Sequence, residues 1–173
     1  MTPTLDRLNA LPPREAAEQL RACCGSSRWV EAMLARRPFE SAADLLAAAE
    51  EAWTATGPED WNEAFAHHPR IGERHAAAPV STTARAWSAG EQDTAAGAGA
   101  AARAALADAN EAYERRFGRI YIVCAAGRSA EEMLADIAVR MRNDPDLERA
   151  VAAEEQRKIT RLRLKTLIGA PES

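Results

Sequence analysis

The sequence is short of several things. Only 5% of its 173 residues are aromatic, and three are cysteine. β-Branched residues are sparse beside abundant alanine, which disfavours a core built from sheets and favours helix. No apolar run approaches the roughly 20 residues of a membrane span, so no membrane partner is expected. No basic tract dominates, and the formal net charge of -4 argues against nucleic acid as a partner. Cys23, Cys24 and Cys124 are odd in number and two are adjacent; this is neither a disulfide framework nor a zinc spacing. The opening "MTPTLDRLNALPPRE" lacks a basic segment followed by a continuous apolar stretch, and "GAPES" at the end is not a peroxisomal address. The expected compartment is therefore the cytoplasm.

What is present is helix signal along almost the whole length. With 47% hydrophobic residues, the chain can bury a core as a single domain over 1–173. "LPPREAAEQLRACCG" has proline near its start and Gly25 at its end, the usual asymmetry of helix ends. Ser27 is placed to cap "RWVEAMLARR", and Ser41 to cap "AADLLAAAEEAWTA", with Leu45, Leu46, Ala49 and Trp53 on one face. "PEDWNEAFAH" opens at Pro58 with acids in its first turn. Residues 69–81 read as loop, a helix starts near Thr83, and a long one fills most of 92–117, with Leu106, Asn110, Tyr113 and Phe117 at helical spacing. Ser129 with Glu132 predicts a capping box, and Asp144-Pro145 opens a final helix that runs to Gly169. "RIYIVCAAG" breaks the pattern: it is short, β-branched and without a second strand to pair with. The fold expected is all-α, a single-domain irregular bundle of about eight helices with a short extended segment near 120–125, whose backbone needs partners other than a sheet.

Four stretches carry candidate chemistry. In "FAHHPRIGE" the two adjacent histidines point in different directions, and Pro69 biases His68 out of the helical region. His68 therefore projects from a helix C-terminus, where the macrodipole favours an imidazolium and where a group that trades protons near neutrality is well placed. A solvated histidine at a helix end accounts for the same pattern. His67, His68 and His75 lack the i, i+4 spacing of a metal site. In "WSAGEQD", Glu91 and Gln92 follow a glycine; a carboxylate beside an amide can bind a hydroxyl and a ureido-type edge, although an acidic helix N-terminus also explains Glu91 and Asp93. Asn110, Tyr113 and Phe117 share a helix face that packing alone would explain. In "KITRLRLKTL", Ile159, Leu162 and Thr166 are expected to face the core while Arg161, Arg163 and Lys165 form a basic face; an inward arginine could clamp a carboxylate through two bonds.

Taken together and in this order, "HHPRIGE", "SAGEQ", "NEAYERRFGRIYIVCAAGRS" and "KITRLRL" resemble the 2-oxo-4-hydroxy-4-carboxy-5-ureidoimidazoline (OHCU) decarboxylase family. "Leu-Asn-Ala-Leu" near the start and "CCGSSRWVEAMLARRPF" extend the resemblance over nearly the whole chain. It implies an all-α enzyme, usually a homodimer, without a cofactor, that converts a ureidoimidazoline to (S)-allantoin in urate catabolism. It also implies site residues: His68 as the catalytic histidine, Pro69 against the substrate ring, and Ser88, Glu91 and Gln92 from the "SxxEQ" motif. The backbone of Tyr121, Ile122, Val123, Cys124 and Ala125 would meet the ureido group, Arg163 would be the closing arginine, and Phe39 a wall. Tyr121 stands where the family more often has Phe, and "PRIG" replaces a "PDLAG" found in many members. Two other readings compete: a helical interaction module that has lost activity, and a lyase acting on a related ureido acid. The retained His68, Glu91, Gln92 and Arg163 speak against the first.

The implied reaction supplies its own electron sink, because an imine adjoins the carbon that loses carbon dioxide. No metal is therefore expected, and extended chelation before assay should leave the rate intact; a loss restored by zinc or magnesium would contradict this.

Overall fold

The structure, a computed structural model, describes residues 4–71, 82–91 and 99–170, with only the main chain described at 85, 88, 89 and 91. Among these residues there are nine helices and no strand. They are α1 (Leu5–Ala10), α2 (Pro13–Cys23), α3 (Ser27–Arg36), α4 (Ala42–Thr54), α5 (Pro58–Ala66), α6 (Thr82–Glu91), α7 (Ala100–Phe117), α8 (Ala130–Arg140) and α9 (Pro145–Ile168). The all-α class holds. The helix not anticipated, α1, has six residues and is capped by Thr4; it is too short for periodicity to reveal. Residues 72–81, most of the expected loop after His68, and 92–98, the start of the expected long helix, lie outside the described residues. No helix among the described residues is long and apolar enough to cross a membrane.

The chain divides into two compact units, Met1–Ala64 with Arg157–Ser173, and Phe65–Gln156. In the first, α2 packs on α3 and α3 on α4. Trp29 anchors this packing: it is fully buried, and its indole nitrogen donates to the Ala49 carbonyl at 3.1 Å. The partner matters because a buried indole N–H without one would cost as much as a lost hydrogen bond. The cap of α3 is one residue earlier than the sequence suggested. Ser26 accepts from the Trp29 amide, while Ser27 gives its amide and hydroxyl to the two carboxylate oxygens of Glu63, at 2.9 and 2.6 Å. Adjacent serines make a cap ambiguous by one position, and a carboxylate from α5 decides it.

In the second unit, α7 packs on α8, and Leu106, Tyr113, Tyr121, Val123, Met133 and Ile137 form a shared apolar core. Gly118 ends α7 at φ +69, the left-handed region that glycine enters without steric cost. The capping box of Ser129 and Glu132 starts α8. Residues 120–125, the segment expected to be extended, follow α7 outside any helix or strand. Beneath them lies a buried polar network. Arg140 and Glu148, both almost wholly enclosed, are joined by a hydrogen bond from Arg140 Nε at 2.8 Å. Tyr113 donates its hydroxyl to the same carboxylate at 2.5 Å, and Asn143 its amide at 2.8 Å. The Arg140 guanidinium also lies over the Tyr121 ring, 4.7 Å from the centroid. Burial alone would lower its pKa, but the hydrogen bond and charge of Glu148 outweigh that and hold it firmly protonated. Burial first, and then the Glu148 hydrogen bond, push the Tyr113 phenol above its usual range.

Arg140→Met should destabilise the protein by about 3–5 kcal/mol in urea titration, because it strands Glu148 as a buried unpaired charge. Adding Glu148→Leu should recover much of that loss. A double variant no more stable than Arg140→Met would show that the ion pair is not the cause.

Candidate active site

His68 stands just past the end of α5, and its amide closes the last turn on the Phe65 carbonyl at 3.1 Å. The turn releases the chain at Pro69, as expected of a residue before proline. The His68 ring is half-buried, and its Nε2 lies 2.7 Å from the Gln156 side-chain oxygen. Gln156 is fully buried on α9. Close by in sequence, Arg70 makes a two-pronged ion pair with Glu114 of α7, its Nη2 2.9 Å from Oε2, which ties the start of the segment after His68 to a helix.

The extended segment answers the question of its unpaired backbone. The Cys124 amide donates to Glu155 Oε2 at 2.8 Å. Arg140 Nη1 donates to the Ile122 carbonyl at 2.8 Å. The Tyr121 hydroxyl donates to Asp136, and Arg140 is 3.3 Å from the same carboxylate. Burial and the bond to Asp136 raise the Tyr121 pKa, so it remains a neutral phenol. Arg128 sits 3.9 Å from Asp136 and 4.0 Å from Glu155. Tyr121, Val123 and Ala125 are buried, while Cys124 is partly exposed. With the Ala125 carbonyl, which accepts from the Arg128 amide at 3.0 Å, three main-chain groups of the segment are thus committed to the protein itself.

Glu155 and Gln156 are consecutive on α9, and between them they hold the extended segment and His68. The sequence reading passed over both, although a signal was there. Gln156 falls four residues after Ala152 and four before Thr160, both buried, so it is a polar residue on an otherwise enclosed helical stripe.

Phe39 and Arg163 belong to the first unit, each with partners there. Phe39 is buried, and its main chain makes a double hydrogen bond with the Asn9 side-chain amide, at 2.8 and 2.9 Å. Arg163 is 3% exposed and donates to the Ala22 carbonyl at 3.2 Å, whereas Arg161 is exposed. The buried face of α9 here is Ile159, Thr160, Arg163, Leu164 and Leu167, not the Ile159, Leu162 and Thr166 expected; Leu162 is half-buried and Thr166 exposed. Sequence placed the inward face one step away because it counted arginine as polar and therefore outward. Cys24 is buried near Thr160 and Arg163, and burial pushes its thiol up to about 12, so it is no nucleophile near neutral pH. The side chains of Ser88 and Glu91, and the whole of Gln92, lie outside the described residues. No cluster among the described residues has the acidic, histidine or cysteine groups to hold a metal ion.

The comparisons with known proteins bear on what this arrangement is. The family model described as OHCU decarboxylase matches residues 9–165. The chain belongs to the OHCU decarboxylase family. It is 38% identical over 153 residues to the uric acid degradation bifunctional protein TTL of Arabidopsis thaliana, covering 88% of this chain and 47% of that protein. It is 42% identical over 62 residues to the 2-oxo-4-hydroxy-4-carboxy-5-ureidoimidazoline decarboxylase of Amia calva, covering 36% of this chain and 35% of that one. The matches therefore span about half, and about a third, of the length of these curated relatives. Among solved structures, an OHCU decarboxylase crystallised in the presence of (S)-allantoin matches with a TM-score of 0.74 and 35% identity, over 88% of this chain and 98% of that one. An (S)-allantoin synthase matches at a TM-score of 0.67 and 22% identity, over 95% and 54%, and shares the fold.

In an assay with the substrate that gives this family its name, His68→Ala should lower the rate by roughly a hundredfold or more, the usual weight of a lost general acid–base group. The helical circular dichroism and melting temperature should barely move. His67→Ala should cost far less. Equal losses from the two would take His68 out of its assigned role.

Proposed function

We propose that this chain decarboxylates OHCU to (S)-allantoin, without a cofactor, as a step of urate degradation. The observation that carries the proposal is the likeness to a decarboxylase crystallised with (S)-allantoin, which extends over 98% of that chain at 35% identity. The family match over residues 9–165 supports it.

The chemistry asks little of the protein beyond placement and charge. One ring carbon of the substrate carries a hydroxyl and a carboxylate, and the next is an imine carbon bearing the ureido arm. When carbon dioxide leaves, the bonding pair forms a double bond between these carbons, and the imine π electrons move to nitrogen, which takes up a proton from solvent. The enol that results passes its hydroxyl proton on and becomes a ketone, while the ureido-bearing carbon takes up a proton. The protein has to hold the carboxylate perpendicular to the imine plane, stabilise the enol and supply the proton to one face. In our reading His68 delivers that proton, directly or through a water, and Glu91 grips the hydroxyl. Arg163 answers the charge of the carboxylate, as a planar guanidinium does best. Gln92, Ser88 and the main chain of Tyr121, Val123, Cys124 and Ala125 read the ureido arm, with Pro69 and Phe39 as apolar walls. The half-burial of His68 supports this role, since a partly desolvated imidazole near neutrality is suited to proton transfer.

The reading includes a homodimer acting on a small molecule in the cytoplasm.

Freshly generated OHCU should decay faster with the protein than without it, followed by ultraviolet absorbance and circular dichroism. In heavy water the product should carry one deuterium at the ureido-bearing carbon and be one-handed, before spontaneous racemisation erodes it. Racemic product from the first moments would remove the protein from the protonation step. No acceleration would leave the inactive-module reading, and turnover of a different ureido acid alone would favour the related lyase.

A further inference from the structure

We infer that Gln156 is the positioning residue of His68, fixing which imidazole nitrogen carries the proton. The inference rests on the catalytic role proposed for His68, and it names a residue that the sequence motifs do not include. The geometry is specific. Gln156 Oε1 lies 2.7 Å from His68 Nε2, and a carbonyl oxygen can only accept. Nε2 is therefore the protonated nitrogen, and in the neutral ring Nδ1 carries the lone pair. The tautomer of a histidine is set by the bond its other nitrogen makes.

Gln156 suits the task for three reasons. It is fully buried, so water does not compete for its oxygen and the contact is stronger than at a surface. It sits in the interior of a 24-residue helix, which gives its side chain a rigid base from which to hold His68 in the turn after α5. Its helical neighbour Glu155 is tied to the Cys124 amide, so the same turn of α9 fixes the extended segment and the imidazole. A neutral amide is also the right partner for a group that must change charge in each cycle. It orients the ring in both protonation states without locking it as an imidazolium, as a carboxylate would by stabilising the cation.

The test reads the proton directly by nitrogen NMR of isotope-labelled histidine, with the His68 signals assigned by their loss in His68→Ala. The wild type at a pH where His68 is neutral should show the Nε2–H tautomer. Gln156→Leu, of similar volume, should give a mixture of tautomers and lower kcat about tenfold with KM little changed, the signature of an interaction that matters at the transition state. Gln156→Glu keeps an acceptor oxygen and should restore the Nε2–H form, which guards against a folding defect in the leucine variant. An Nδ1–H tautomer in the wild type would overturn the inference. So would Gln156→Leu retaining wild-type tautomer and rate. The tautomer readings are independent of whether wild-type protein accelerates OHCU decay, the measurement that decides the proposed function.

Discussion

Buried main chain has to pair its amides and carbonyls, and residues 120–125 must do so without a neighbouring strand. Much of the second unit follows from how that is met. A sheet would have offered neutral partners. Here the partners are charged side chains: Glu155 takes the Cys124 amide and Arg140 supplies the Ile122 carbonyl. A charge brought inside needs an answer of its own. Glu148 answers Arg140, and Tyr113 and Asn143 satisfy the remaining capacity of that carboxylate. Both tyrosines of the sequence are spent in this region: Tyr113 stands edge-on to Tyr121, with centroids 5.4 Å apart, and Arg140 lies over Tyr121. The extended segment is thus clamped from beneath, which supplies the rigidity that the ureido-reading role proposed for it would require.

The last helix has a second consequence. Ala152 and Ala153 are buried just before Glu155 and Gln156, so this turn of the helix faces inward. Glu155 and Gln156 then bond to two separate pieces of chain. Both bonds come from helix interior, so the groups they hold inherit the stiffness of α9. For a reaction in which the substrate supplies its own electron sink, such placement is most of what a protein can contribute.

The helices were legible because their signals are local. Ser41, Gly118, Ser129 with Glu132, and Pro145 each act within a turn of where they stand, and the structure has caps or ends at all of them. That 120–125 interrupts the helices was legible from β-branching between glycines. Errors came where two local choices were nearly equal. Ser26 displaced Ser27 as a cap because Glu63, thirty-six residues away, claims Ser27. Arg163 turned inward against its polarity because the Ala22 carbonyl, far away in sequence, receives it.

The sequence by itself determined that the chain is helical, and through its four motifs it pointed to the family. Periodicity, capping and motif order are properties of neighbouring residues and need no fold to be read. Only the tertiary structure decided what holds His68 and the extended segment. Gln156 is 88 residues from His68 and Glu155 is 31 from Cys124. The local pattern marks Gln156 only as a polar residue between Ala152 and Thr160 on one helical stripe; its partner is not local, because a hydrogen bond across such separations depends on which side of a helix the rest of the chain covers.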